Sequence, residues 1–322
     1  METIRKFIND KKSHVVLFSS IAVALYGYDQ GMMSLINTNE DYLQTMGMKE
    51  KDPLVGFIVS VYYLGCAVGA VLFSRYADYA GRKYGIFACL STAALGNLIM
   101  FVAGLGYSRG ARTVMFLGRI IMGLGVGGID SVIPVYSSEL AEDDSRGRAL
   151  AQEFQMNILG LNIAFAINLS VTKALGRANQ WAWRIPIIIM QIFPVLLLAV
   201  INLLPESPRW FMFNDKKEEA ERSLHFMFEE DEANEKFKSL EESQKNEEGQ
   251  NVGYSDMLNP YHPQFHPTVI TIMGQINQAL TGYGAVSVYG PQIFEVSNFK
   301  VINGSICELI TSIAFRLRCS II

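Results

Sequence analysis

A chain of 322 residues that is 50% hydrophobic and only 18% charged, with a mean hydropathy of +0.21, lacks the charge needed to cover a soluble domain of its size. The net charge of −4 belongs largely to one segment, because 14 acidic against 7 basic residues lie between Glu206 and Glu248. No basic patch stands elsewhere, which excludes a nucleic-acid partner.

The apolar residues fall in seven blocks: His14–Ile36, Leu54–Phe73, Tyr84–Gly106, Val114–Val135, Leu150–Val171, Ile185–Leu204 and Val269–Tyr289. Each is about twenty residues, enough to cross a bilayer core of ~30 Å as a helix. The fold class expected is therefore an all-α integral membrane protein. The first block is too long for a signal-peptide core and has no small-residue cleavage site after it, so it reads as a retained span. Arg5, Lys6, Lys11 and Lys12 ahead of it place the N-terminus in the cytosol. The acidic insert, with its helical Asp215–Phe226 stretch and Glu218/Arg222 pair, suits a cytosolic linker between two membrane units. The expected layout is a cytosolic N-terminus (1–13), a six-helix bundle (14–204), a partly helical cytosolic linker (205–266) and an incomplete second bundle (267–322). In that last part a seventh helix is followed by Gly304–Ile322, a poor eighth span because Glu308, Arg316 and Arg318 lie in it.

Charges inside apolar blocks cost roughly 2.5–3.5 kcal/mol each at mid-bilayer and usually mark function. Asp29 lies in the first span and Arg119 early in the fourth. A carboxylate neutralised by a cation, and able to take a proton when the two part, is the minimum chemistry for coupling to a proton gradient. A snorkelling pair at the interfaces is the alternative. Asp130 follows Arg119 by eleven residues, on nearly the same helix face and ~16 Å along it. Two charges on one face point to an aqueous interior, though Asp130 also suits a structural hydrogen bond. Gly123-Leu124-Gly125-Val126-Gly127-Gly128 matches a dinucleotide-binding pattern but sits mid-span, so no cofactor is implied. Gly123 and Gly127, like Gly65 and Gly69, instead allow close helix packing. Gln155 and Asn162 in the fifth span, and Gln275, Asn277, Gln278, Thr281, Ser287 and Tyr289 in the seventh, offer donors and acceptors to a polyhydroxylated solute, or act as interhelical glue. Cys66, Cys89, Cys307 and Cys319 show no paired spacing and read as free thiols. His262 and His266 are separated by proline and make no metal site. No nucleophile or acid–base constellation suggests an enzyme.

From Gly27 to about Phe294 the chain resembles the sugar porters of the major facilitator superfamily, in their fungal branch. The strings that carry the resemblance are Gly27-Tyr28-Asp29-Gln30-Gly31, Asp78-x-x-Gly81-Arg82-Lys83, Pro134-x-Tyr136-x-x-Glu139 with Arg146-Gly147-Arg148, Trp183-Arg184-Ile185-Pro186, and Pro205-Glu206-Ser207-Pro208-Arg209-Trp210. The resemblance implies that Asp29 and Arg119 link protonation to sugar binding. It implies that Gln155 binds sugar; Asn162, Gln278 and Tyr283 are expected as further solute contacts. It also implies that Asp78, Arg82, Glu139, Arg146, Glu206 and Arg209 form a cytosolic gate. Ser74 and Tyr79 depart from the loop signature. Ala279 and Gly284 stand where the family has a glutamine and an asparagine that touch sugar, which weakens the case for a hexose.

The expected function is proton-coupled symport of a small neutral sugar or polyol by alternating access, in the lipid bilayer of the plasma membrane. The alternatives are a nutrient sensor with a transporter fold and a non-functional truncated sugar porter. Alternating access requires two bundles, so these 322 residues alone are not expected to transport.

Overall fold

The computed structural model describes residues 11–49, 52–106, 110–141, 146–247 and 259–282 and the single residues 257, 284, 286 and 289; among them every regular element is helical. In chain order these are α1 (Lys11–Ile36), α2 (Glu40–Met46), α3 (Pro53–Ala80), α4 (Arg82–Val102), α5 (Ala111–Leu140) and α6 (Arg146–Leu175). Then come α7 (Gln180–Met190), α8 (Ile192–Val200) and a 3₁₀ turn (Ile201–Leu203), followed by α9 (Pro208–Phe213), α10 (Lys217–Met227), α11 (Glu230–Glu247) and α12 (Phe265–Leu280).

Five stretches are long and apolar enough to cross a membrane: α3, α4, α5, Leu150–Leu175 of α6, and the composite Gln180–Leu203. The all-α membrane class follows. Two of the seven expected spans do not meet that length-and-composition standard. α1 has the length, 26 residues, but carries Ser19, Ser20, Asp29, Gln30 and Ser34, all of them buried. Its polarity is turned inward against other helices, where mean hydropathy cannot register it. α12 is 16 residues long and buries none of them; the chain leaves it through Gly282 in the left-handed region (φ 72°), and the rest of the seventh block lies largely outside the described residues.

The most extensive contacts pair α1 with α6, α3 with α5 and α4 with α5. Small residues set these distances. A Cβ on Gly69 would run into the Leu124 backbone, and one on Gly127 into the Cys66 backbone. α3 and α5 thus cross with their main chains in contact, as small-x-x-x-small spacing allows. α1 and α6 run in parallel. The Asn157 amide donates to the Val23 carbonyl at 3.4 Å, and the Asn168 amide to that of Met32 at 2.6 Å. Asparagines in the fifth span thus act as glue toward the first.

The sixth span breaks between α7 and α8. Pro194 has no N–H to give to the preceding turn, and Gln191 bonds to Ile188 rather than continuing the regular ladder. The Ile187 carbonyl freed by the break accepts from Asn97 Nδ2 at 2.9 Å, and the same amide nitrogen reaches Gln191 Oε1 at 2.9 Å. A buried backbone acceptor is satisfied from the neighbouring span, as burial demands.

The ends of α2, α4 and α7 are clamped together by Trp183 and Arg184. The Trp183 indole N–H donates to Asp41 Oδ2 at 2.8 Å, and its ring meets Tyr42 edge-on at 5.4 Å. Arg184 stacks 4.0 Å over the Trp183 ring and donates to the carbonyls of Phe101 and Ala103 that end α4. The linker is helical in α9, α10 and α11, and the Glu218/Arg222 pair stands fully in solvent at 4.0 Å.

Candidate functional site

Asp29 and Arg119 meet as the sequence suggested. Arg119 Nη1 donates to Asp29 Oδ1 at 2.7 Å, with the two side chains 2% and 0% exposed. The guanidinium lies 4.3 Å over the Tyr62 ring. α1 supplies the acid, α5 the base and α3 the aromatic lid, so three spans converge on one charge pair. The pair is incomplete: Asp29 Oδ2 and Arg119 Nε are buried without a hydrogen-bond partner. A buried ion pair repays its desolvation only when its remaining polar atoms are satisfied. Here one carboxylate oxygen stands ready for another donor.

Asp130 does not share this burial. It is exposed while Arg119 is covered by Asp29 and Tyr62, so one helix face holds two different environments.

A second cluster lies where α3 and α4 meet the linker. Gly81 makes the reversal between them at φ 111°, and a Cβ there would press on the Glu206 carboxylate. Only glycine meets both demands. Just beyond it, Arg82 forks onto Glu139, with Nε and Nη2 each 3.1 Å from a carboxylate oxygen, and also bonds to Asp78 one turn back. Glu206 caps α4 from far along the chain, accepting from Lys83 N at 3.0 Å and Ser207 N at 2.9 Å. An anion at a helix N-terminus is placed where four backbone N–H groups lack partners. Burial pushes the Glu206 carboxyl above its ordinary range, opposed by the N–H groups of Ser207, Lys83 and Arg82 and by the charge of Arg82.

The surrounding bonds pin the linker beneath the spans. Lys83 Nζ donates to the Leu204 carbonyl at 2.9 Å, Tyr136 Oη to that of Pro205 at 2.7 Å, and Trp210 Nε1 to that of Asp78 at 2.9 Å. Arg82→Gln is expected to leave Glu139 without its cation and to cost roughly 1–3 kcal/mol. Hydrogen exchange of residues 78–83 and 205–210 should accelerate together; unchanged protection would show that the cluster does not hold these segments.

Of the six expected gate residues, Asp78, Arg82, Glu139 and Glu206 are brought together. Arg209 lies over its own helix neighbour Phe213, 5.7 Å from the ring centroid. Arg146 opens α6, but its side chain lies outside the described residues. Of the solute residues, Asn162 is buried and bonds back to the Ile158 carbonyl at 2.9 Å, leaving its Oδ1 unpartnered, while Gln155 is half-buried. Gln278 is exposed on α12 and so shares no buried wall with Asn162. Tyr283 lies outside the described residues.

Two positions were missed from the sequence. Lys83 joins the inner cluster through both its N–H and its ammonium. Glu153 on α6 is 3% exposed, hydrogen-bonds with Ser137 of α5, and leaves Oε1 without a partner. The rule that picked out Asp29, a charge inside an apolar block, picks out Glu153 as well.

Comparison with solved structures places the architecture. The fold matches that of the major facilitator superfamily proton:xylose symporter XylE bound to 6-bromo-6-deoxy-D-glucose at a TM-score of 0.81, covering 95% of this chain and 67% of that one at 21% identity. A partially occluded inward-open form of XylE from E. coli matches at 0.78, covering 94% and 70% at 21% identity. The chain is thus an all-α membrane protein of major facilitator type. The profile of the sugar (and other) transporter family matches residues 15–315, and the chain belongs to that family.

Among curated relatives, the major myo-inositol transporter IolT of Bacillus subtilis is 27% identical over 94% of this chain and 64% of its own length. The galactose transporter of Saccharomyces cerevisiae is 32% identical over 62% and 35%. The low-affinity glucose transporter HXT3 of the same yeast is 29% identical over 84% and 48%. These relatives are transporters and not enzymes, and the chain spans between about a third and two thirds of their length.

Proposed function

We propose that residues 14–204 form the first bundle of a carrier that moves a sugar or polyol together with a proton by alternating access. In this reading residues 205–266 are its cytosolic linker, and residues 267–322 belong to the second bundle. The observation that carries it is the sealed Asp29–Arg119 pair with its free carboxylate oxygen. Protonation of Asp29 cancels the attraction that ties α1 to α5 and frees Arg119 to bind elsewhere, so the proton and the packing of two spans become one equilibrium. The names of the relatives, for myo-inositol, galactose and glucose, and of the proton:xylose symporter with the same fold, support a neutral polyhydroxylated solute and a proton.

The contacts we assign to that solute are Gln155, Asn162, Gln278 and Tyr283. The inner gate is Asp78, Arg82, Glu139, Arg146, Glu206 and Arg209, on the cytosolic side together with the N-terminus, in the plasma membrane. Ala279 and Gly284 bring no side-chain amide to the seventh helix. Each solute hydroxyl left unpaired costs about 1–3 kcal/mol unless water replaces the bond. A two-bundle transporter containing this chain is therefore expected to accumulate a labelled polyol when the outside is acidified and to bind glucose weakly. Tight glucose binding would overturn the specificity, and uptake indifferent to the pH gradient would overturn the coupling.

A further inference from the structure

Glu153 differs from the other carboxylates that the fold encloses. Asp29 has Arg119, Glu139 has Arg82, and Glu206 has backbone N–H groups. Glu153 has neither a cation nor a backbone donor among the described residues; its partner is the Ser137 hydroxyl, and Oε1 has none. The parallel register of α1 and α6, in which Val23 meets Asn157 and Met32 meets Asn168, sets Glu153 at the level of Ser19. The Ser19 hydroxyl is likewise buried and unpartnered.

The groups that face Glu153 can be named by element. α1 brings Ser19 and Ser20, with His14 exposed further down. α5 brings Ser137 and Glu139, the latter held by Arg82 from α4. α7 follows α6 directly and meets its opposite end. Arg146, which begins α6, and Arg148 lie about two and about one and a half turns away; their side chains are outside the described residues.

A serine hydroxyl has one hydrogen to give, and the Ser137 hydroxyl has two acceptors in reach, the Pro134 carbonyl at 3.3 Å and the Glu153 carboxyl. A neutral Glu153 donates to Ser137 Oγ and leaves that hydrogen to the Pro134 carbonyl, so the chain runs from carboxyl to hydroxyl to carbonyl. An ionised Glu153 would need the same hydrogen for itself. It would also be an uncompensated buried charge, far costlier than a buried neutral acid.

Ser137 stands on the same turn of α5 as two residues of the inner cluster. Tyr136 donates to Pro205, and Glu139 binds Arg82. When that cluster parts, the turn loses its cover and water reaches Glu153. We propose that Glu153 is a second protonation site of the bundle, a neutral acid while the inner cluster is closed and a carboxylate once it opens. The proton leaves to water on the inner side. Its place in solute transport rests on the proton-coupled reading above, whereas its protonation does not.

The chain in liposomes tests this by infrared absorption in the carboxylic-acid C=O region, followed from acid to alkaline pH. Glu153→Gln should remove, at neutral pH, a protonated-carboxyl band that Asp29→Asn leaves in place. Ser137→Ala, with Glu153 intact, should shift that band to higher frequency through loss of its hydrogen bond. Arg82→Gln should make it bleach at least about one pH unit lower, a tenfold change in proton concentration. These two arms read the band even where Glu153→Gln does not fold. A wild-type spectrum without such a band at neutral pH, or a band that ignores Arg82→Gln, would overturn the proposal. Failure of proton-driven uptake by a two-bundle transporter containing this chain, with the band present, would instead overturn the transport reading alone.

Discussion

Asp29→Asn is expected to abolish uphill solute accumulation in a transporter containing this chain while leaving part of its downhill exchange. The amide keeps an oxygen for Arg119 Nη1, which now lies 2.7 Å from the carboxylate. Geometry and folding therefore survive, at a loss of about 1–3 kcal/mol. What disappears is the group that binds a proton. With no protonation step to alternate between a tied and a released Arg119, a pH gradient has nothing to act on. Asp29→Ala should do more damage of another kind, because it strands a buried guanidinium; removing one partner of a buried pair costs about 3–5 kcal/mol. The two variants separate coupling from stability. Uptake under an imposed pH gradient, read beside equilibrium exchange of labelled solute, decides the matter. Normal proton-driven accumulation by Asp29→Asn would refute the role given to this carboxyl.

Gly127→Ala is expected to be strongly destabilising, and Gly274→Ala harmless or mildly stabilising, although both are mid-helix glycines of an apolar segment. A Cβ at Gly127 would meet the Cα and carbonyl of Cys66, backbone that cannot rotate aside, whereas at Gly274 nothing lies within 4 Å. Overpacking of a tight contact costs about 1–3 kcal/mol where side chains can yield, so the upper end of that range or beyond applies at Gly127. At Gly274 the only term is helix propensity, which favours alanine by up to about 1 kcal/mol. Thermal unfolding in detergent should show a large drop for the first and none for the second. Equal effects would mean that the α3–α5 crossing does not depend on main-chain contact.

Much of this was legible before any packing was known. Apolar blocks of bilayer length determine helices, because backbone N–H and C=O groups in lipid have no other partners. The cost of charge in such blocks singled out Asp29 and Arg119, and the spacing of small residues marked Gly65, Gly69, Gly123 and Gly127 as packing sites. Hydropathy misled at α1, whose polar residues are buried, Asp29 among them against α5.

Three-dimensional neighbours, which no local spacing encodes, decided the rest. Glu206 caps a helix that starts 124 positions earlier, at Arg82, through a bond to Lys83 N. Asp130 and Arg119 share a helical phase, and only the positions of α1 and α3 cover one and expose the other. Glu153 was visible in the sequence as a charge in an apolar block, but a carboxyl reads as ionised or neutral only once its partners are counted. The sequence alone determined which segments must be helices and which charges are too costly to be accidental. Tertiary structure decided which of those charges is paired, which is exposed and which is enclosed without a counter-charge among the described residues, because these depend on the distance to a donor or a counter-charge brought from elsewhere in the chain.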